Sequence, residues 1–284
     1  MKKNILITAL SLFVAVFSTA QVDRTMAPKP QPNPEIKISI PDVVTADNGL
    51  KVIVVENHKL PVVSFQLFVD YPVMPEGDKA GLSGIFGELL SSGTTKTTKD
   101  VFDAKVDYMG ATISTNSRGF FASSLKKHTP NLLALLSEMI TMPAFPQDEF
   151  DRLINQNISA LASEKSDPNA MASNVAGIVN YGADHPYGEI TTEKTLGNLK
   201  LEDIQNHYNK FFKPNDAYLV IVGDVTQAEA NEYVKTYFSS WEKGTPNKTM
   251  AFTSPTSKGN NVYFVDKPGA VQSRITITHN MELQ

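Results

Sequence analysis

The side chains able to do chemistry are few and scattered in this sequence. The five histidines are His58, His128, His185, His207 and His279, and no two lie within one helical turn of each other. A zinc held by a histidine pair needs two imidazoles one turn apart on one helix face, so that both reach the same ion. No closely spaced pair of that kind exists here. Cysteine is absent, which removes thiolate nucleophiles and disulfides together. Gly81-Leu82-Ser83-Gly84 begins like the serine turn of an α/β hydrolase, but Ile85 stands where the closing glycine is required. No glycine-rich loop runs into Gly-Lys-Ser/Thr, so there is no phosphate cradle. The Ser/Thr cluster from Ser91 to Thr98 reads as capping and loop chemistry. A net charge of −4 gives no electrostatic case for nucleic acid or an anionic membrane.

The elements around these residues can be read in order. Lys2 and Lys3 precede an apolar run from Ile5 to Phe17, and Ser18-Thr19-Ala20 follows it. That is the pattern of a signal peptide over residues 1–20, with a mature chain starting at Gln21. The run is short for a membrane span, and no other stretch is apolar for long enough to cross a bilayer. The expected location is therefore periplasmic or extracellular. No cysteine follows the run, which excludes a lipoprotein anchor at this site. Residues 21–41 form a linker whose alternating prolines in Ala27–Pro34 suit neither a helix nor a central strand.

A folded domain is expected over residues 42–242. Asn48-Gly49 is a hairpin turn between Val43-Val44-Thr45 and the β-branched run Leu50–Val55. Another strand is expected over Val62–Tyr71. Leu82, Ile85, Phe86, Leu89 and Leu90 define the buried face of a helix from about Lys79 to Ser91. Thr98 caps a helix closed by Gly110, and two strands meet at Ser117-Arg118-Gly119. Helices are expected over about Pro130–Thr141, Gln147–Ser163, Pro168–Tyr181 and Glu202–Phe211. Tyr218–Val222 reads as a central strand, and Thr226-x-x-Glu229 as a capping box opening a last helix. This order predicts an α+β fold, with helices packed on one face of a mainly antiparallel sheet. Residues 243–261 read as a linker. Val262–Val265 and Arg274–Thr278 are further strand candidates within 262–284, taken as the start of a second, truncated domain.

Five pieces in order carry a resemblance to a known family. They are Asn48-Gly49-Leu50-Lys51-Val52; Lys79-Ala80-Gly81-Leu82 with Ser92-Gly93-Thr94; His185-Pro186-Tyr187-Gly188; Lys213–Asp216 running into Tyr218–Val225; and Val265–Ser273. In this combination the chain resembles the insulinase/pitrilysin zinc metallopeptidases, which include the mitochondrial processing peptidase subunits. The resemblance implies that active members carry H-x-x-E-H on the helix between Lys79 and Gly93. Its two histidines bind zinc, its glutamate activates the metal-bound water, and a distant glutamate completes the ligands.

Counting back from Gly93-Thr94, the motif positions here are Gly84, Ile85, Phe86, Gly87 and Glu88. Gly84 replaces the first histidine, Gly87 the general base and Glu88 the second histidine. The distal ligand falls near Leu161–Lys165, where Glu164 is the carboxylate. Glu88 and Glu164 remain as weak oxygen ligands for a hard cation, against a reading of Glu164 as a solvated helix-end charge. No cofactor is expected for this chain, and His185 is expected to be structural.

The resemblance therefore implies a non-catalytic subunit that binds peptide or unfolded protein in extended form beside a homologous zinc-bearing peptidase subunit. Two alternatives stay open: an active zinc metalloendopeptidase with atypical ligands, and an envelope binding or scaffold protein without a peptidase partner.

Overall fold

The computed structural model describes residues 41–247, 252–253 and 259–278. The expected signal peptide, nearly all of the proline-rich linker, and His279 lie outside the described residues. The described chain builds one six-stranded sheet. Its strands are β1 (Val43–Thr45), β2 (Lys51–Glu56), β3 (Val62–Val69), β4 (Thr112–Asn116), β5 (Gly119–Leu125) and β6 (Ala217–Gly223), in the order β1-β2-β6-β3-β5-β4. Only β2 and β6 pair in parallel; the other four ladders are antiparallel.

Among the described residues, eight α-helices accompany the sheet. They are α1 (Leu82–Leu89), α2 (Lys99–Met109), α3 (Thr129–Thr141), α4 (Gln147–Glu164), α5 (Pro168–Tyr181), α6 (Glu193–Gly197), α7 (Leu201–Phe211) and α8 (Gln227–Tyr237). Alternation along the strands places the core. Val52 and Val54 of β2, Phe65 and Leu67 of β3, Phe120 and Ala122 of β5, and Leu219 and Ile221 of β6 are all buried. They meet Ile85, Phe86 and Leu89 of α1, and Leu132, Leu136 and Met139 of α3. Their neighbours Gln66, Phe68 and Phe121 are exposed on the opposite face. The period of two thus gives the sheet one covered face and one open face. None of the described helices is long and apolar enough to cross a membrane.

Two distant pieces of sequence are fixed to each other at the base of the sheet. Gly49 has φ +87°, and a Cβ there would stand 3.0 Å from Asn215 Cβ. Asn48 donates through Nδ2 to the carbonyls of Phe238 (2.7 Å) and Trp241 (3.2 Å). The hairpin turn, the Lys213–Asp216 segment and the end of α8 therefore form one junction. They must occur together because each fills space left by the others.

The two strands expected over Val262–Val265 and Arg274–Thr278 are not formed. Val262, Phe264, Val271, Ile275 and Ile277 are 85–97% exposed. A comparison inside the chain supplies a physical reason. Val52-Ile53-Val54-Val55-Glu56 and Phe65-Gln66-Leu67 have the same apolar pattern and spacing as Val262-Tyr263-Phe264-Val265-Asp266 and Ile275-Thr276-Ile277. In the sheet, β2 and β3 do not bond to each other; both bond to β6, which lies between them. No described strand takes that place between 262–265 and 274–278. Strand-forming side chains without a ladder partner do not hold extended structure in water.

Candidate functional site

Helix α1 is held at its start by a carboxylate that reaches back over its first turn. Glu76 accepts from Gly81 N–H at 2.7 Å and Ser83 N–H at 2.8 Å. These are two of the backbone donors a helix leaves unpaired at its N-terminus, and the negative charge also complements the helix dipole. Glu189 in turn accepts from Glu76 N–H at 2.9 Å. The turn that feeds Glu189 is closed by His185, whose Nδ1 lies 3.1 Å from Tyr187 N and whose ring stacks on Tyr181. Glu76→Ala is expected to cost about 2 kcal/mol in chemical denaturation, since both charge-assisted bonds are lost at once.

One face of α1 carries Gly84, Gly87 and Glu88, of which Gly84 and Glu88 are exposed and Gly87 is buried. A Cβ on Gly84 would meet nothing within 4 Å, so this position opens onto free space. Gly87 is the reverse. A Cβ there would stand 2.5 Å from Asn116 C and 2.5 Å from Ser117 N, inside the turn joining β4 to β5. The backbone of that turn occupies the volume into which any side chain at 87 would project. Farther along, Ser91 Oγ lies 3.3 Å from Thr115 Oγ1 of β4.

Glu88 is exposed, and its carboxylate faces α4. The residue it meets there is Asn157, whose Nδ2 lies 3.4 Å from both carboxylate oxygens. Glu164 is the last residue of α4, two helical turns beyond Asn157, or about 10 Å along the axis. Neither Asn157 nor Glu76 stands out in the sequence. Glu76 can be found only by asking what satisfies the N-terminus of α1.

These donors do not fit zinc. A tetrahedral site needs three protein ligands around one point. Here one position has no side chain, the next has no room for one, and the third offers a single carboxylate paired with an amide. Among the described residues no group of three or more His, Cys, Asp or Glu side chains could hold a metal ion.

Behind α1 lies His207 of α7. Its ring packs against Tyr71, Phe86 and Phe211 at centroid distances of 4.8–5.3 Å. Its Nε2 finds no hydrogen-bond partner among the described residues. Burial, helped by the charge of Lys210, pushes this imidazole down to about 4. In the unfolded chain a histidine titrates near 6.5. Between these values the unfolded chain takes up a proton that the folded chain refuses. The stabilising difference is thus present above pH 6.5 and is lost as the pH falls towards 4. Between pH 7 and pH 5 this group alone is expected to remove roughly 2 kcal/mol. Denaturant titrations at both pH values should show that loss, and His207→Phe should abolish it.

Next to α1, β4 forms one edge of the sheet. Asn116 pairs with Gly119 across the two-residue turn Ser117-Arg118. That closing pair is the hydrogen-bonded one, so the backbone groups of Thr115 and Ile113 point away from β5. The strand is Thr-Ile-Ser-Thr-Asn, without the lysine, proline or bulge that usually blocks an edge.

Comparison with known proteins gives a consistent set of matches. Residues 51–180 match the family described as "Insulinase (Peptidase family M16)". Residues 198–282 match "Peptidase M16 inactive domain". The "Non-peptidase homolog YmxG" of Helicobacter pylori is 22% identical over 222 residues, covering 76% of this chain and 51% of that protein. The "Uncharacterized zinc protease YmxG" of Bacillus subtilis is 20% identical over 205 residues, covering 70% and 50%. This chain therefore spans about half the length of the curated relatives it matches.

Among solved structures, a peptidase M16 inactive domain from Pseudomonas fluorescens superposes with a TM-score of 0.68 at 21% identity, covering 77% of this chain and 54% of that one. The first half of the periplasmic protease PqqL from Escherichia coli gives a TM-score of 0.63 at 17% identity, covering 76% and 49%. At these identities the structural likeness is one of fold.

Proposed function

Because this chain belongs to the insulinase family, peptidase family M16, we propose that it is an exported, non-catalytic member that holds extended peptide beside a homologous zinc-bearing peptidase subunit. The observation that carries this reading is the contact between Gly87 and the Asn116–Ser117 backbone. We take Gly84, Gly87 and Glu88 as the positions of the lost motif, with Gly87 in place of the general base. A missing base could be a single substitution. A hairpin turn packed into that space supports a scaffold that has adapted to the absence of the base.

The peptide would add to the free edge of β4, with the outward groups of Ile113 and Thr115 supplying the ladder. Export rests on the leader-like pattern of residues 1–20 and agrees with the periplasmic source of PqqL. Residues 42–242 are taken as the first family domain, and residues 262–284 as the start of a second, truncated one.

The test is reconstitution. The mature chain, mixed with an M16 homologue that carries intact H-x-x-E-H, is expected to co-purify with it and to raise its peptidase activity. If the homologue cleaves equally well alone, the subunit reading fails and an envelope binding protein is favoured. If this chain alone cleaves peptide and a chelator stops it, the atypical-ligand enzyme is favoured.

A further inference from the structure

We infer that Glu88 selects a cationic side chain, lysine or arginine, from peptide added to β4, its carboxylate binding an organic cation at a position where active relatives bind metal. This rests on the peptide-binding reading above and adds a specificity determinant to it.

The geometry starts from α1. Gly84, Gly87 and Glu88 follow the i, i+3, i+4 spacing and share one helix face, and Ser91 follows two residues beyond the end of α1. Gly87 touches the β4–β5 turn, and Ser91 reaches Thr115 of β4. The Glu88 carboxylate is therefore anchored one residue from the contact that joins α1 to the sheet edge. A strand added to β4 would run about 4.8 Å outside it. Alternate side chains of that strand would point to the same face as Thr115, the face on which α1 lies. Gly84 leaves that approach bare, with nothing within 4 Å of its Cβ position.

The charge is available. Among the described residues Glu88 makes no ion pair within 4 Å, and its partner is the neutral Asn157 amide at 3.4 Å. The nearby Arg152 feels the charge of Glu88, but its guanidinium donates to Glu149 at 2.8 Å and to Gln156 at 2.9 Å. An exposed carboxylate one turn beyond the open Gly84 position, beside an edge that demands extended backbone, fits an extended peptide with a long cationic side chain. The Asn157 amide, already oriented by the Leu153 carbonyl at 3.0 Å, holds the carboxylate in place.

The experiment uses the full chain and three fluorescent β-forming peptides that differ only on one face, in lysine, alanine or glutamate. At low ionic strength the lysine peptide is expected to bind about fivefold more tightly than the alanine peptide, and the glutamate peptide more weakly than either. Glu88→Gln should bring all three to the alanine value without changing that value. If Glu88→Gln leaves the lysine preference intact, the inference is overturned while edge binding stands. An alanine peptide N-methylated at every residue, with no N–H left on either edge, separates the two readings. It cannot extend the ladder, so if it binds as well as the unmethylated peptide, the edge-binding reading itself fails. If none of the peptides binds, both fail.

Discussion

Replacing Gly87 by alanine is expected to destabilise the domain by about 3 kcal/mol, whereas alanine at Gly84, three residues earlier on the same helix, is expected to stabilise it by about 0.5 kcal/mol. The two glycines have the same helical backbone, so conformational freedom does not separate them. The difference is space. At Gly84 the added methyl meets nothing within 4 Å and removes only the entropic cost of glycine. At Gly87 it would stand 2.5 Å from two backbone atoms of the β4–β5 turn. Backbone in a tight hairpin cannot rotate aside as a side chain can, so α1 or the turn must move. Glutamate at 87 adds a longer chain to the same collision and should cost more than alanine. Denaturant midpoints of the two alanine variants, measured side by side, decide the matter. Equal effects would mean that the turn yields freely and that the motif helix could still accept a base.

Phe86→Ala is expected to cost about 4 kcal/mol. Phe86 is fully buried one residue before Gly87, and its ring meets those of His207, Phe212 and Phe145 at 4.8, 5.0 and 6.0 Å. Aromatic neighbours on three sides cannot all collapse into the space a phenyl leaves, so most of the cavity persists. The exposed positions of α1 include Gly84 and Glu88, while its inner face is core. Equilibrium unfolding of the variant checks this. A loss below about 1 kcal/mol would show that the helix is only loosely seated.

What could be read from the sequence follows from how local each signal is. The Asn48-Gly49 turn, the capping box at Thr226 and Glu229, and the apolar run of β6 each depend on residues close together in the chain, and each appears where expected. The strand character of β6 was legible for the same reason, since its apolar run is unbroken; its alternation shows in burial, with Leu219 and Ile221 buried and their neighbours only partly covered. The tail failed because strand propensity is conditional on a partner. Val262–Val265 and Arg274–Thr278 have the composition of β2 and β3 but not a strand to lie between them.

The site was legible only in part. Counting back from Gly93-Thr94 on the resemblance puts Gly84, Gly87 and Glu88 at the motif positions, and the three do lie on one helix. It cannot say that Gly87 touches Asn116, since that contact depends on how a hairpin seats on a helix. Nor can it say that the α4 residue facing Glu88 is Asn157, because the axial position of one helix against another is set by packing over its whole length.

On the proposed reading, a peptidase-family domain keeps its fold without holding the metal. Zinc per folded chain, measured by elemental mass spectrometry after gel filtration in zinc-containing buffer, tests it most directly. Only trace zinc is expected, unchanged by Glu88→Gln. Stoichiometric zinc that survives gel filtration and is lost on Glu88→Gln would contradict it.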